Sequence, residues 1–99
     1  MALDQKIVNA LRLSDLKSKL PSNPRIVDIR VEDYVDTDGD DALRVTVVLD
    51  EKVNVEKVNG QAVTDLKRVI RDRIRGLGIE LWPYIFLAKQ SELDEDNEE

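Results

Sequence analysis

The clearest strand pattern in the chain lies in residues 42–50, which read ALRVTVVLD. The odd-numbered positions are Leu43, Val45, Val47 and Leu49, so one face of the predicted strand is entirely apolar. Successive side chains of a strand point to opposite faces, and alternation of this kind predicts a strand whose two faces differ in burial. We therefore begin from this strand and place the other elements relative to it.

A second alternating run precedes it, in residues 25–35, where Val27, Ile29 and Val31 are separated by charged residues. The connection 36–41 is rich in Asp and contains Gly39, which is typical of a turn. Two strand patterns around a short Gly-containing loop predict an antiparallel hairpin. The apolar phase shifts before Tyr34, which predicts a bulge near Asp33.

The next elements are a helix over residues 61–76 and a third strand over 79–88. The helix is predicted by an apolar stripe at helical spacing, consisting of Val63, Leu66, Ile70, Ile74 and Leu77. Gly76 and Gly78 provide the stop. Pro83 lies inside the third strand, and because proline donates no ladder hydrogen bond, this strand is predicted at an edge of the sheet.

The first twenty residues predict two short helices, because their apolar positions fall on two different helical faces. Ile7, Ala10 and Leu11 share one face, whereas Leu16 and Leu20 share another. Ser14 at the break is the expected cap of the second helix. Pro21 and Pro24 mark a connector before the first strand.

The element order is therefore α-β-β-α-β, and the fold class is α+β. We expect a three-stranded mixed sheet packed on one main helix, residues 61–76, with the N-terminal helices on the other face of the sheet or at an interface. The favoured strand order is 2-1-3, in which the third strand pairs beside the first. A crossover that makes the second and third strands parallel is the alternative.

Charge and composition limit the range of functions. The whole net charge of −6 comes from six carboxylates in residues 92–99, which we predict to be a disordered acidic tail on a single domain, residues 1–91. No apolar run approaches the roughly 20 residues that span a bilayer. The chain has no His and no Cys, which removes the usual neutral-pH proton carrier and the usual zinc ligands. We expect a cytoplasmic protein that is not an enzyme and that needs no cofactor.

The acidic loop, residues 36–41, partly matches the pattern of a calcium-binding loop. Asp36, Asp38 and Asp40 alternate as in a calcium loop, which binds a cation through six to eight oxygens. Counted from Asp36, however, loop positions six and twelve hold Asp41 and Val47 instead of the required Gly and Glu. We interpret the loop as a solvated turn and expect no metal.

Two surfaces remain as candidate sites. Four cations on one side of the 61–76 helix form a basic ridge, which consists of Lys67, Arg68, Arg71 and Arg75. Three rings alternate along the third strand and share one face, namely Trp82, Tyr84 and Phe86. The interpretation that we favour for the basic ridge is an ordinary solvated helix face, ahead of a site for phosphates. For the rings we rank burial beneath the N-terminal helices first, a dimer interface second and stacking of nucleic-acid bases third.

The sequence thus predicts a small non-enzymatic protein–protein interaction module that forms a homodimer, with another protein or a second copy as partner. The alternative is a nucleic-acid-binding domain that uses the basic ridge for phosphates and the ring-bearing strand for bases.

Overall fold

A computed structural model describes residues 5–20 and 24–92, apart from the side chains of Asp15 and Val55. The described elements, in chain order, are α1 (Gln5–Ala10), α2 (Leu13–Leu16), β1 (Ile26–Val35), β2 (Asp41–Leu49), a 3-10 helix (Val55–Lys57), α3 (Gly60–Gly76) and β3 (Trp82–Lys89). The α+β class and the predicted element order are confirmed. Apart from Glu92, the predicted acidic tail lies outside the described residues.

The sheet is mixed, as predicted, but its strand order is β1-β2-β3. β1 and β2 are antiparallel, whereas β2 and β3 are parallel and joined through α3. The favoured order 2-1-3 is therefore wrong. β2 is the central strand, and apart from Arg44 it is buried on both faces: Thr46 and Val48, on the face opposite the helices, are nearly as deeply buried as Val45 and Val47. Pro83 lies on an edge strand, as predicted.

The β1–β2 hairpin closes through a compact turn. The N–H of Gly39 donates to the carbonyl oxygen of Asp36, and the N–H of Asp36 donates to the carbonyl oxygen of Asp40. Gly39 has a φ of 84°, a left-handed conformation that glycine adopts without steric cost. This turn fixes the register in which Val31 lies opposite Val45.

The irregularity in β1 is at the opposite end from the one predicted. The register shifts between Ile26 and Asp28, whereas pairing is regular past Asp33 to Val35. Val27 is consequently exposed, and Ile26 packs against the core in its place. Tyr34 needs no bulge, because it belongs to the opposite face of the sheet.

α3 covers one face of the sheet. The side chain of Asn59 accepts the N–H of Gln61 at 2.8 Å and caps the first turn, so the helix begins at Gly60. Leu66, Ile70 and Ile74 are buried against the sheet, as the apolar stripe predicted. Gly78, with a φ of 76°, lies just past the helix end.

The N-terminal helices lie on the same side of the sheet as α3, so the first of their two predicted places, the other face of the sheet, is wrong. Ile7, Leu11 and Leu16 join the apolar core formed with the helix-facing side of β2. The Nε–H of Arg73 donates to the carbonyl oxygen of Ala10 at 3.3 Å, where its charge complements the end of α1. The two helices are separate, as predicted, but α2 begins after Arg12, and Ser14 does not cap it.

Candidate functional site

The face of the sheet opposite α1, α2 and α3 carries four aromatic rings, and we call it the aromatic face. Trp82, Tyr84 and Phe86 come from β3, and Tyr34 comes from β1. Trp82 is 52% exposed and Phe86 is 41% exposed. Their predicted burial beneath the N-terminal helices is therefore wrong, because those helices pack on the other side of the sheet.

Two of the rings meet across the middle strand. The rings of Tyr34 and Tyr84 are 5.3 Å apart between centroids and inclined at 59°, a tilted packing that aromatic pairs favour. On β2, Ala42 is the partner of Tyr34 and Arg44 is the partner of Tyr84, so the two rings meet diagonally across the strand, beside the small and buried Ala42. Tyr34 was missed as a site residue, although the register of the hairpin alone places it on this face.

The charges of the aromatic face are balanced. Arg44 lies between Glu32 on β1 and Tyr84 on β3, and its guanidinium is 5.3 Å from the centre of the Phe86 ring. Arg30 lies 3.5 Å from the Asp28 carboxylate. Two cations and two anions share this face. Arg44 was missed because the sequence pattern only identified it as solvent-facing.

A hydrogen bond joins the aromatic face to the hairpin turn. The hydroxyl of Tyr84 donates to Oδ2 of Asp36 at 3.3 Å, while Oδ1 of Asp36 accepts the N–H groups of Asp38 and Asp40, both at 2.9 Å. Partial burial raises the pKa of Tyr84, and the neighbouring Asp36 carboxylate raises this pKa further. The Asp36 side chain thus holds the turn and one ring in a fixed relation.

This contact gives a testable titration. With Asp36→Asn, we expect the pKa of Tyr84 to move down towards the ordinary tyrosine value, because the carboxylate that opposes tyrosinate is gone. The measurement is the pH-dependent ultraviolet absorbance of tyrosinate, with Tyr34→Phe to isolate the Tyr84 signal. The control is Asp65→Asn, on α3. An unchanged Tyr84 titration in Asp36→Asn would contradict the contact.

The same shift has a consequence for stability in alkali. Because the pKa of Tyr84 is raised in the folded state, the unfolded chain loses this proton first as the pH rises. The stabilisation linked to the neutral hydroxyl is complete below the ordinary tyrosine pKa. It is lost as the pH rises through the higher pKa of the folded state.

The residues of the basic ridge lie on α3, in the helical layer, and they differ in their surroundings. Arg68 is exposed and its Nη2 lies 2.8 Å from Oδ1 of Asp65. Lys67 is half-buried, and Arg75 is exposed. The ridge and the aromatic face therefore belong to opposite sides of the sheet, except where Arg71 extends to β3.

The basic ridge and the aromatic face meet at the edge of β3, where Arg71 of α3 lies next to Trp82 of β3. The Arg71 guanidinium is 5.2 Å from the centre of the Trp82 ring, a distance at which cation and ring attract. Arg75 and Glu80 line the same cleft, whose volume is about 310 Å³. Nε of Arg71 is buried without a hydrogen-bond partner among the described residues. Of the seven predicted site residues, the structure places Arg71, Arg75 and Trp82 around this one cleft.

Carboxylate oxygens of Asp36, Asp38 and Asp40 lie within 4.8 Å of one another. Oδ1 of Asp36 already accepts two backbone N–H groups and Oδ2 accepts the Tyr84 hydroxyl. The two oxygens of Asp36 thus hold the turn and the Tyr84 ring. The absence of a bound metal at this loop stays a prediction. In the described part of the chain, no helix has the length and apolar character to cross a membrane.

Comparison of the chain with models of known protein families, with curated proteins and with solved structures finds no match in any of the three.

Proposed function

We propose that this chain is a small non-enzymatic protein–protein interaction module that acts as a homodimer and binds another protein through the aromatic face. The partner surface that fits is apolar at its centre and carries both signs of charge at its rim. The observation that carries this proposal is the exposure of Trp82 and Phe86 on a sheet face that α1, α2 and α3 leave uncovered.

Exposed rings on a rigid sheet favour a binding role for this face. Tryptophan and tyrosine are enriched among the residues that dominate binding energy at protein interfaces, since they bury a large area at a small cost in side-chain entropy. Here the ring of Tyr84 is fixed by Tyr34 and by Asp36. A surface that is already ordered loses little entropy when a partner covers it.

The charge of the face favours a protein over a nucleic acid. Asp28 and Glu32 offset Arg30 and Arg44, and Asp36 beside Tyr84 offsets Arg71 over Trp82, so the formal charges around the rings have no positive excess. Nucleic-acid affinity depends mainly on cations that neutralise phosphates. A mixture of both signs around exposed rings is typical of the rim of a protein interface.

Site-specific photo-crosslinking tests the proposal. We expect a photoreactive phenylalanine at position 86 to capture one protein in cells, whereas the same group at Asp72, on the exposed side of α3, does not capture it. The captured protein is then purified and titrated against the native chain. Trp82→Ala should weaken binding about 30-fold, which corresponds to the loss of roughly 2 kcal/mol at a dominant interface ring.

Lys57→Ala, an exposed change in the 3-10 helix, is the matched control and should leave the dissociation constant unchanged. Trp82 is half-exposed, so its removal should not unfold the chain. Equal capture at positions 86 and 72, or equal affinity of the Trp82→Ala variant, would contradict a binding role for the aromatic face.

The alternative function, nucleic-acid binding, is favoured by one observation: the Arg71 guanidinium lies over the Trp82 ring, and Arg75 lines the same cleft. A phosphate at the arginines and a base against the ring fit such an arrangement. Titration with single-stranded RNA and DNA at two salt concentrations distinguishes the two functions. Binding that weakens steeply with salt and is lost in Arg68→Ala/Arg71→Ala favours the alternative.

A further inference from the structure

β1 is an edge strand whose outer side has no strand neighbour among the described residues. It runs for ten residues, from Ile26 to Val35, and six of them are exposed, including the apolar Val27 and Val35. An edge strand of this length offers a row of unpaired N–H and C=O groups to another strand. The other edge, β3, is less suited to pairing, because Pro83 lacks an N–H group.

We propose that two copies of this chain pair through the outer edges of β1, antiparallel and about a two-fold axis at Val31, to form one continuous six-stranded sheet. This inference rests on the homodimer of the proposed function and names the contact that forms it. The occupant of the edge is thus a second copy, and the aromatic face stays open.

The backbone of β1 presents the right groups for this pairing. The N–H of Asp36 donates across the hairpin to the carbonyl oxygen of Asp40, so the backbone N–H and C=O groups of Asp36 point towards β2. Alternate residues of an antiparallel strand point their N–H and C=O groups to opposite sides, and counting back from Asp36 assigns Asp33, Val31 and Ile29 to the outer side. The N–H of Ile29 indeed donates to the Asp28 carboxylate at 2.8 Å, as expected of a donor without a strand neighbour.

The charges of β1 select the register. With the axis at Val31, Arg30 lies opposite the partner's Glu32, and by symmetry Glu32 lies opposite the partner's Arg30. These are non-hydrogen-bonded pairs, in which side chains come closest, about 4.5 Å between Cα atoms. An axis at Arg30, Glu32 or Asp33 would instead place that charge directly opposite its own copy, which is unfavourable.

One other register also pairs opposite charges. An axis at Ile29 places Arg30 opposite the partner's Asp28, but it leaves residues 33–35 beyond the start of the partner's β1. The Val31 axis pairs residues 27–35 throughout and brings Val35, which is 61% exposed, to the end of the partner's strand that carries the exposed Val27. We therefore assign the axis to Val31.

The charges of β1 also differ from those of a protected edge. Edge strands avoid association through prolines, bulges and charged side chains, and like charges that meet across a strand pair are repulsive. β1 contains no proline, and beyond its register shift near Ile26 its charges alternate in sign through Asp28, Arg30 and Glu32, so pairing about Val31 brings opposite charges together. A two-fold axis perpendicular to the sheet keeps the helices of both copies on one side. Both aromatic faces then form a single surface across the dimer.

Single cysteines test this geometry directly, because the chain has none of its own. Residues at the axis face their own copies about 5.5 Å apart between Cα atoms, which a disulfide can span. We expect Val31→Cys to form a disulfide-linked dimer in mild oxidant. The Val35→Cys variant, although its cysteine is far more exposed, should form at least about 10-fold less disulfide-linked dimer. The residue opposite position 35 is the partner's Val27, so the two cysteines do not meet. More crosslinking by Val35→Cys than by Val31→Cys would overturn the register.

Charge reversal gives an independent measurement by light scattering and sedimentation over a concentration series. Arg30→Glu and Glu32→Arg should each raise the dimer dissociation constant about 10-fold, since each places two pairs of like charges opposite one another. The double variant should return to within about 3-fold of the native value. Lys57→Glu is the control, and circular dichroism verifies that each variant is folded.

Each outcome is decisive. A native chain that stays monomeric at every concentration overturns the edge pairing, while the aromatic face is still judged by crosslinking at position 86. A dimer that survives both charge reversals but is lost in Trp82→Ala assigns the contact to the aromatic face and also overturns the edge pairing. Failure of the double reversal to restore association overturns the Arg30–Glu32 register.

Discussion

Ile70→Ala should lower the free energy of unfolding by about 2–5 kcal/mol, the usual range for removing a large aliphatic side chain from a close-packed core. Ile70 is fully buried at the middle of α3 and belongs to the apolar core beneath β2. Truncation leaves a cavity that the rigid sheet cannot close. The higher helix propensity of alanine offsets only about 0.5 kcal/mol of this loss.

Urea unfolding measures the effect, and the midpoint should fall without a change in the dependence on denaturant. Val69→Ala is the matched control, since Val69 is the next residue on the same helix but only partly buried. We expect less than half the loss there. Equal losses at positions 69 and 70 would mean that α3 presents a different face to the sheet.

Leu16→Ala is expected to have the second largest effect, again about 2–5 kcal/mol. α2 is a four-residue helix, which does not form by itself in water because its nucleation is unfavourable. Leu16 is 1% exposed and fixes this segment to the core together with Leu11. Its truncation removes the main contact that orders residues 13–20.

Hydrogen exchange and urea unfolding together check this result. In Leu16→Ala, protection should be lost first at the N–H groups of Lys17 and Leu20, which donate to Leu13 and Leu16. Leu13→Ala is the control on the same helix, because Leu13 is only partly buried. A Leu16→Ala variant as stable as the native chain would contradict the packing of α2 against β1 and the apolar core.

The class and order of the elements follow from local patterns. The stripe of Leu66, Ile70 and Ile74 predicts α3 with its buried face, because helix periodicity is a local property. Alternation and the Gly39 turn likewise predict the hairpin. The two-helix interpretation of the N-terminal region follows from its two apolar faces.

Strand order depends on contacts distant in sequence, and one local pattern in β2 does indicate it. Val48 interrupts the alternation of β2, which then reads Val-Thr-Val-Val-Leu over residues 45–49. A continuous run of this kind is typical of a strand buried on both faces, hence of a central strand with a parallel neighbour. The alternation of Leu43, Val45 and Val47 favours an edge position instead, so the two local patterns of this strand point to different strand orders.

The openness of the aromatic face was not accessible from pattern alone. Trp82 and Phe86 are rings at alternate positions of a strand, which equally predicts a second core layer or an exposed surface. The deciding fact is that Ile7, Leu11 and Leu16 pack on the same side of the sheet as α3, a choice between two faces of one sheet that periodicity does not encode. The cleft between Arg71 and Trp82 depends on the same three-dimensional placement.

The central position of β2 has a consequence for how the chain folds. The hairpin partner β1 is adjacent in sequence and can pair within microseconds, whereas β3 arrives only after α3 has formed and the intervening chain has closed a long loop. During that interval the second edge of β2, with its valine-rich residues 45–49, is unpaired. This transient species is where we expect aggregation to begin in concentrated refolding mixtures, and dilution should raise the yield of native protein.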